Sequence, residues 1–187
     1  MYPLKIQTIW INLLITILVV VKLPSVAFAQ SHQVAISVPK VALISLAGNT
    51  NDHFSFASGG EAGHKLEITG NRITGIWLNY SSTLENDGKS HKITATMYGQ
   101  LPDALRVLLE ASPCEGSFRG NTGRPTGQMV LSDQPSEIIS EIGNSFTGRG
   151  TNNGHLLTYT LKWNEEASTG HLFAENHELQ IVYTISE

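Results

Sequence analysis

Histidine is the residue type in this chain best suited to chemistry, because a neutral imidazole binds transition metals and its proton exchanges near neutral pH. The seven histidines are His32, His53, His64, His91, His155, His171 and His177. No two of them have the i, i+2 spacing that places two imidazoles on one face of a strand, and none belongs to an H-x-x-x-H unit. We therefore predict histidines scattered at the edges of loops, with no metal site and no cofactor.

Nucleophilic and acid–base catalysis also lack a recognisable arrangement. Cys114, the only cysteine, has no nearby base, and no serine stands in a G-x-S-x-G turn. Glu165 and Glu166 are adjacent in the chain, so at the end of a strand their carboxylates point in opposite directions and do not form a facing acid/base pair. Cys114 lies in a turn-like segment, where we favour a small half-buried residue over pairing with another chain or metal capture. We predict no catalytic residue and a protein that is not an enzyme.

Exposed aromatic side chains would offer a surface for binding sugars. The candidates are Trp77, Tyr80, Tyr98 and Trp163. Trp77 and Trp163 alternate with apolar residues, which favours packing in a core for both. Binding of glycans through aromatic side chains stays open as an alternative function.

The first 29 residues have the composition of a secretory signal peptide. Lys5 precedes the apolar run Ile9 to Val21, and the small-residue motif Ala27-Phe28-Ala29 follows it. The alternative is a retained membrane anchor, but the apolar run is shorter than the roughly 20 residues that cross a bilayer. We predict cleavage after Ala29 and a single domain over residues 30–187. The protein is then secreted to the periplasm, the outer surface or the medium, without a stable membrane span.

Charge limits the partners of the exported domain. The chain has a formal net charge of −4, from 12 Lys+Arg and 16 Asp+Glu. Lys5 and Lys22 lie before Ala29 and no acid does, so the domain has 10 − 16 = −6. An acidic domain without basic clusters argues against binding to nucleic acid.

Period-2 alternation predicts that the domain consists of β-strands. Leu157, Tyr159, Leu161 and Trp163 share one face of a strand, and Leu179, Ile181, Tyr183 and Ile185 share one face of the last strand. Hydroxyl-bearing residues such as Thr158, Thr160 and Thr184 occupy the opposite faces, as in an antiparallel sheet with one wet side. Strand-like segments recur about nine times. They predict an immunoglobulin-like Greek-key β-sandwich of about nine strands.

Three local predictions accompany this fold. Asn86-Asp87-Gly88 predicts a hairpin turn, because Asp-Gly readily adopts two positive φ angles. Ala104 to Ala111 fits a helix or a strand, and we predict a strand because Pro102 and Pro113 confine it. Gln33 to Leu46 predicts a first strand interrupted at Pro39, with Val34 to Val38 apolar on one face. We expect this strand to pair with its own sheet rather than with that of a neighbour.

Four segments together resemble a group of small secreted, largely uncharacterised β-sandwich proteins of Bacteroidota. They are the motif Ala27-Phe28-Ala29-Gln30, the opening Ile36 to Leu43, the central Trp77-Leu78-Asn79-Tyr80-Ser81-Ser82, and the tail Gly148 to Leu161 with Asn153-Gly154-His155. The closing strand Glu178 to Ile185 is also similar to the end strand of pilin-like and spore-coat-type domains. This second resemblance implies an extracellular structural or adhesive subunit and no catalytic residue.

These observations predict a non-catalytic, exported, fimbria-like structural or adhesive protein of the cell surface. Its expected partners are other copies of itself or other surface proteins, and not nucleic acid. The alternative function is a small extracellular binding module for glycans.

Overall fold

The computed structural model describes residues 35–57, 60, 62, 66–86, 88–167 and 176–187. Two compact units are distinguished, Met1–Ser37 and Val38–Glu187. Only residues 35–37 of the first unit are described, and they contain no helix or strand. The predicted signal peptide and its cleavage site lie outside the described residues. Within the described ranges, no helix is long and apolar enough to cross a membrane.

The regular secondary structure in the described part of the second unit consists of strands, without a helix. Their bounds are β1 Val41–Ala47, β2 Ser55–Ala57, β3 Glu67–Gly70, β4 Arg72–Thr83, β5 His91–Tyr98, β6 Leu105–Ala111, β7 Arg119–Pro125, β8 Met129–Val130, β9 Ser136–Phe146, β10 His155–Trp163 and β11 Gln180–Ser186. The ambiguous segment 104–111 is therefore a strand, as predicted.

Strands β4 and β9 organise the larger sheet, which is antiparallel throughout and has the order β11-β5-β9-β4-β10-β6-β8. β1 pairs with the other edge of β4, and β7 pairs with the other edge of β9. Strands β4 and β9 pair only at Ser81↔Phe146 and Ser82↔Ser145. The strands grouped around β4 and those grouped around β9 are therefore connected by a short ladder. Strands β2 and β3 form a separate two-stranded sheet. The predicted all-β class and β-sandwich architecture are confirmed.

A bulge bends β4 where it runs beside β10. The register shifts between Leu157 and Tyr159 of β10, whose partners on β4 are Ile76 and Ile73. Gly75 lies in the bulge with a φ of 95°, a conformation that glycine adopts without a steric penalty. β4, a strand of 12 residues, pairs with β1, β9 and β10.

The predicted hairpin at Asn86-Asp87-Gly88 is wrong. Strands β4 and β5 do not pair with each other, because both pair with β9. Gly88 has the expected positive φ of 78°, and Asp87 lies outside the described residues. A turn signal reports local backbone preference, whereas β9, whose Ile138, Ile139 and Ile142 are buried in the core, pairs with both strands.

The first strand is shorter than predicted. It begins at Val41, and residues 35–40 contain no strand, so the alternation of Ile36 and Val38 does not produce one. Pro39 lacks the N–H that a ladder needs, which is consistent with a start after it. From Val41 onward the strand pairs with its own sheet through β4, as expected.

The core lies on the predicted faces of the last two strands. Leu157, Tyr159 and Leu161 are buried, and Thr158 and Thr160 are half-exposed. Ile181 and Tyr183 of β11 pack against the same core but remain half-buried. The difference arises because β11, among the described strands, pairs only with β5.

Candidate functional site

A polar cluster around His155 and Tyr80 is buried in the core. His155 is the first residue of β10 and shares the inward face of Leu157. Its Nε2 lies 2.9 Å from the Tyr80 hydroxyl, and its Nδ1 lies 2.7 Å from the carbonyl oxygen of Ser112. The two rings stack with centroids 5.6 Å apart and an angle of 11°. The Tyr80 hydroxyl also donates to the carbonyl oxygen of Thr122.

Hydrogen-bonding rules define the protonation of this cluster. The Ser112 carbonyl can only accept, so Nδ1 of His155 carries a hydrogen and Nε2 of the neutral ring is an acceptor. The single hydroxyl hydrogen of Tyr80 is then shared between Nε2 and the Thr122 carbonyl. Burial lowers the pKa of His155 and raises the pKa of Tyr80 well above its ordinary value. Neutral His155 and protonated Tyr80 therefore form a structural link between β4 and β10.

Cys114 lies beside this cluster as a half-buried free thiol, the environment favoured from the sequence. Burial raises the pKa of Cys114, and a hydrogen bond with the side chain of Thr122 offsets part of the effect. A raised pKa keeps the sulfur protonated at neutral pH, which disfavours its action as a nucleophile. Among the described residues, no group of three His, Cys, Asp or Glu side chains could hold a metal ion.

A second histidine forms a buried pair with a serine. Ser82 Oγ lies 2.8 Å from Nδ1 of His91, and both residues are almost completely buried. Such a pair is typical of nucleophilic catalysis when it faces a cleft. Here β4 and β5 direct both side chains into the core, so the hydroxyl is not accessible to a substrate.

His91 and His155 correct the prediction that the histidines lie at loop edges. Each begins a strand on its buried face, His91 in line with Ile93 and His155 in line with Leu157. Extending the period-2 alternation by one step would have placed both inside. His53 is exposed outside the strands, while His32, His64 and His171 lie outside the described residues.

Asparagine side chains hold the loop of residues 147–154 against the sheet. Asn79 Nδ2 donates to the Asn153 carbonyl at 2.6 Å, and Asn79 Oδ1 accepts from the Gly150 amide at 2.9 Å. Asn153 Oδ1 accepts from the Ser117 amide at 2.9 Å, which joins this loop to the segment that holds Cys114. The Asn153-Gly154-His155 motif in the sequence therefore has a structural role.

The four candidate aromatics for glycan binding do not form one surface. Trp77 and Tyr80 are buried, so the packing expected for Trp77 is confirmed. Tyr98 is 53% exposed at the end of β5. Trp163 is half-buried at the end of β10, a strand that does not pair with β5.

Trp163 adjoins two surface depressions. The larger has a volume of about 490 Å³ and lies between β3 and the end of β10. The smaller, of about 220 Å³, lies toward β6 and includes Arg106 and Glu166. The ring of Phe56, from β2, packs edge-on to the Trp163 indole with centroids 6.1 Å apart. Trp163 is therefore held in place at the boundary of the two depressions.

Strand β1 presents apolar side chains on an edge of the sheet. Leu43 is 65% exposed, and Val38, shortly before the strand, is 72% exposed. The register Leu43↔Ser81↔Phe146 places Leu43 and the half-exposed Phe146 in one row, with only a small serine between them. Among the described residues, β1 pairs with β4 alone.

No protein-family model, curated protein or solved structure matches this chain.

Proposed function

We propose that this protein is an exported, non-catalytic structural or adhesive subunit of the cell surface that assembles with other copies of itself through the edge of β1. The exposed apolar edge of β1 is the observation that carries the proposal. Export rests on residues 1–29 of the sequence. The resemblance of the closing strand to those of pilin-like domains agrees with a structural role.

The edge of β1 lacks the features that usually prevent association of sheets. Natural edge strands are protected by charges, prolines or bulges, because unpaired backbone N–H and C=O groups accept another strand. The sequence of β1 is VALISLA, which contains neither a charge nor a proline. By contrast, β7 carries Arg119, Arg124 and Pro125. Strand β11 lies near β1 without pairing with it, and Lys40 before β1 forms an ion pair with Glu187 after β11. An added strand would gain apolar contacts at Leu43 and backbone hydrogen bonds where β1 is unpaired.

The proposal is tested by measuring the mass of the purified exported protein in solution. We expect concentration-dependent oligomers for the wild type and a monomer for Leu43→Lys, because a lysine at an edge strand opposes pairing. Val130→Lys on β8 is the matched control, since it places the same charge at an exposed apolar position of another edge strand, and it should leave the oligomers intact. Circular dichroism would verify that both variants are folded. A wild type that is monomeric at about 100 μM, or oligomers that persist in Leu43→Lys, would contradict the proposal.

A further inference from the structure

The larger depression beside Trp163 is lined by polar residues whose side chains have no partner among the described residues. These side chains are Glu67, Asn71, Lys162 and Glu165. None of them makes a side-chain hydrogen bond or ion pair within the described ranges. The smaller depression differs, since Arg106 Nη2 and Glu166 Oε2 pair with each other at 2.9 Å. Donors and acceptors in the larger depression are therefore available to a ligand.

The backbone fixes the positions of these groups. Lys162 and Trp163 end β10, which is paired with β6 from Leu157 to Trp163. Asn71 joins β3 to β4, and its carbonyl accepts a hydrogen bond from the Leu161 amide at 2.8 Å. The depression thus lies between two segments that this backbone hydrogen bond joins. Glu67 lies on one side, in β3, and Trp163 lies on the other, in β10. Groups held by strands need little reorganisation when a ligand binds.

We propose that this depression binds a neutral carbohydrate, with a pyranose ring placed against the exposed part of the Trp163 indole. A pyranose offers an apolar C–H face for the indole and a rim of hydroxyl groups. Hydroxyl groups both donate and accept, so they can pair with Glu67 and Glu165 as acceptors and with Lys162 and Asn71 as donors. A small number of placed polar groups beside an aromatic ring is the usual composition of a small-molecule site, and about 490 Å³ is within the usual size range.

The charges in the depression select against acidic sugars. The residues that line the depression include two acids, Glu67 and Glu165, and one base, Lys162, so a uronate or sialic acid would meet a net negative charge. A neutral hexose oligosaccharide avoids this repulsion. The inference is independent of the assembly proposal, because the depression is formed by β3 and β10 and not by β1.

Tryptophan fluorescence provides the test. Once the predicted leader is removed, Trp77 and Trp163 are the only tryptophans, and Trp77 is buried. Neutral gluco- and galacto-oligosaccharides of two to four units should change the emission with a Kd of about 1 mM or tighter. Trp163→Phe should abolish the fluorescence change, and calorimetry should show that Trp163→Ala and Asn71→Ala each weaken binding about tenfold.

Tyr98→Ala is the control, since it removes an exposed aromatic from a different strand and should leave the affinity unchanged. Glu67→Gln keeps the shape of the side chain and serves as a second probe if Trp163→Ala reduces stability. Three results would overturn the inference: absence of binding to every neutral oligosaccharide, affinity unaffected by Trp163→Ala and Asn71→Ala in folded protein, or equally tight binding of a uronate.

Discussion

At the scale of single residues, the buried imidazole of His155 links folding to pH. Burial lowers its pKa in the folded protein, while in the unfolded chain the pKa returns to about 6.5. Above that pH both states are neutral, and the contribution to stability is fully present. As the pH falls below about 6.5, the unfolded chain takes up a proton that folded His155 resists, so stability is lost.

We predict that the free energy of unfolding depends less on pH in His155→Gln than in the wild type, between a pH of about 6.5 and the lower pKa of folded His155. The two slopes should differ by up to about 1.4 kcal/mol per pH unit. Urea unfolding of wild type and variant at several pH values measures it. Thr160→Ala, at a position that does not titrate, should leave the pH dependence of the free energy of unfolding unchanged. If the free energies of unfolding of wild type and His155→Gln change in parallel with pH, the lowered pKa of folded His155 is contradicted.

The Tyr80 hydroxyl supplies a second prediction at this scale. Tyr80→Phe leaves the ring in place but removes the donor shared by His155 and the Thr122 carbonyl. A buried acceptor that loses its partner costs about 1–3 kcal/mol, so we expect a loss of that size in the free energy of unfolding. Tyr98→Phe, at an exposed position, should change it by less than about 0.5 kcal/mol.

At the scale of strands, the apolar faces of β10 and β11 contribute unequally to the free energy of unfolding. Leu161→Ala should destabilise by about 2–5 kcal/mol, because the side chain is buried in the core. Ile181→Ala should cost less, about 1–2 kcal/mol, since β11 leaves Ile181 half-buried. Chemical denaturation measures both, with Thr160→Ala on the outer face of β10 as control. Equal losses for Leu161→Ala and Thr160→Ala would show that the inward face is misassigned.

Gly154, in the turn into β10, is required because a side chain there would clash with a neighbouring strand. Comparison with Gly150 separates this clash from the cost of a positive φ. Gly154 and Gly150 have nearly equal φ values of 85° and 82°. A Cβ on Gly154 would lie 2.2 Å from the Leu78 carbonyl oxygen, whereas a Cβ on Gly150 would meet nothing within 4 Å. Gly150→Ala should therefore cost about 1–2 kcal/mol, and Gly154→Ala distinctly more. Thermal unfolding of the pair measures the difference, and equal shifts would exclude the clash.

At the scale of the whole molecule, the exported form should begin at Gln30. Residues 1–29 combine a basic start, a short apolar run and a small-residue cleavage motif. Mass spectrometry of the protein from the cell envelope or the medium should therefore give a chain of residues 30–187. Retention of Met1 in the exported form would contradict this prediction and favour a membrane anchor.

The all-β class and the inward faces of β10 and β11 could be predicted from the sequence. Both follow from period-2 alternation, which depends only on neighbours in the chain, since successive strand residues point to opposite sides. The same rule, carried one residue further, would have placed His91 and His155 in the core. Trp163 was one of four aromatic candidates for glycan binding, but its alternation with apolar residues favoured packing in the core.

The pairing of the strands and the contacts between distant polar groups could not be predicted from the sequence and became known from the fold. β4 and β5 are joined by a strong turn signal, yet both pair with β9, whose three isoleucines are buried in the core, so tertiary packing outweighs a local turn preference. Glu67 and Asn71 gather near Trp163 although they lie far from it in the chain. Such pairings depend on how distant apolar faces share one core, which the alternation within a single strand does not encode.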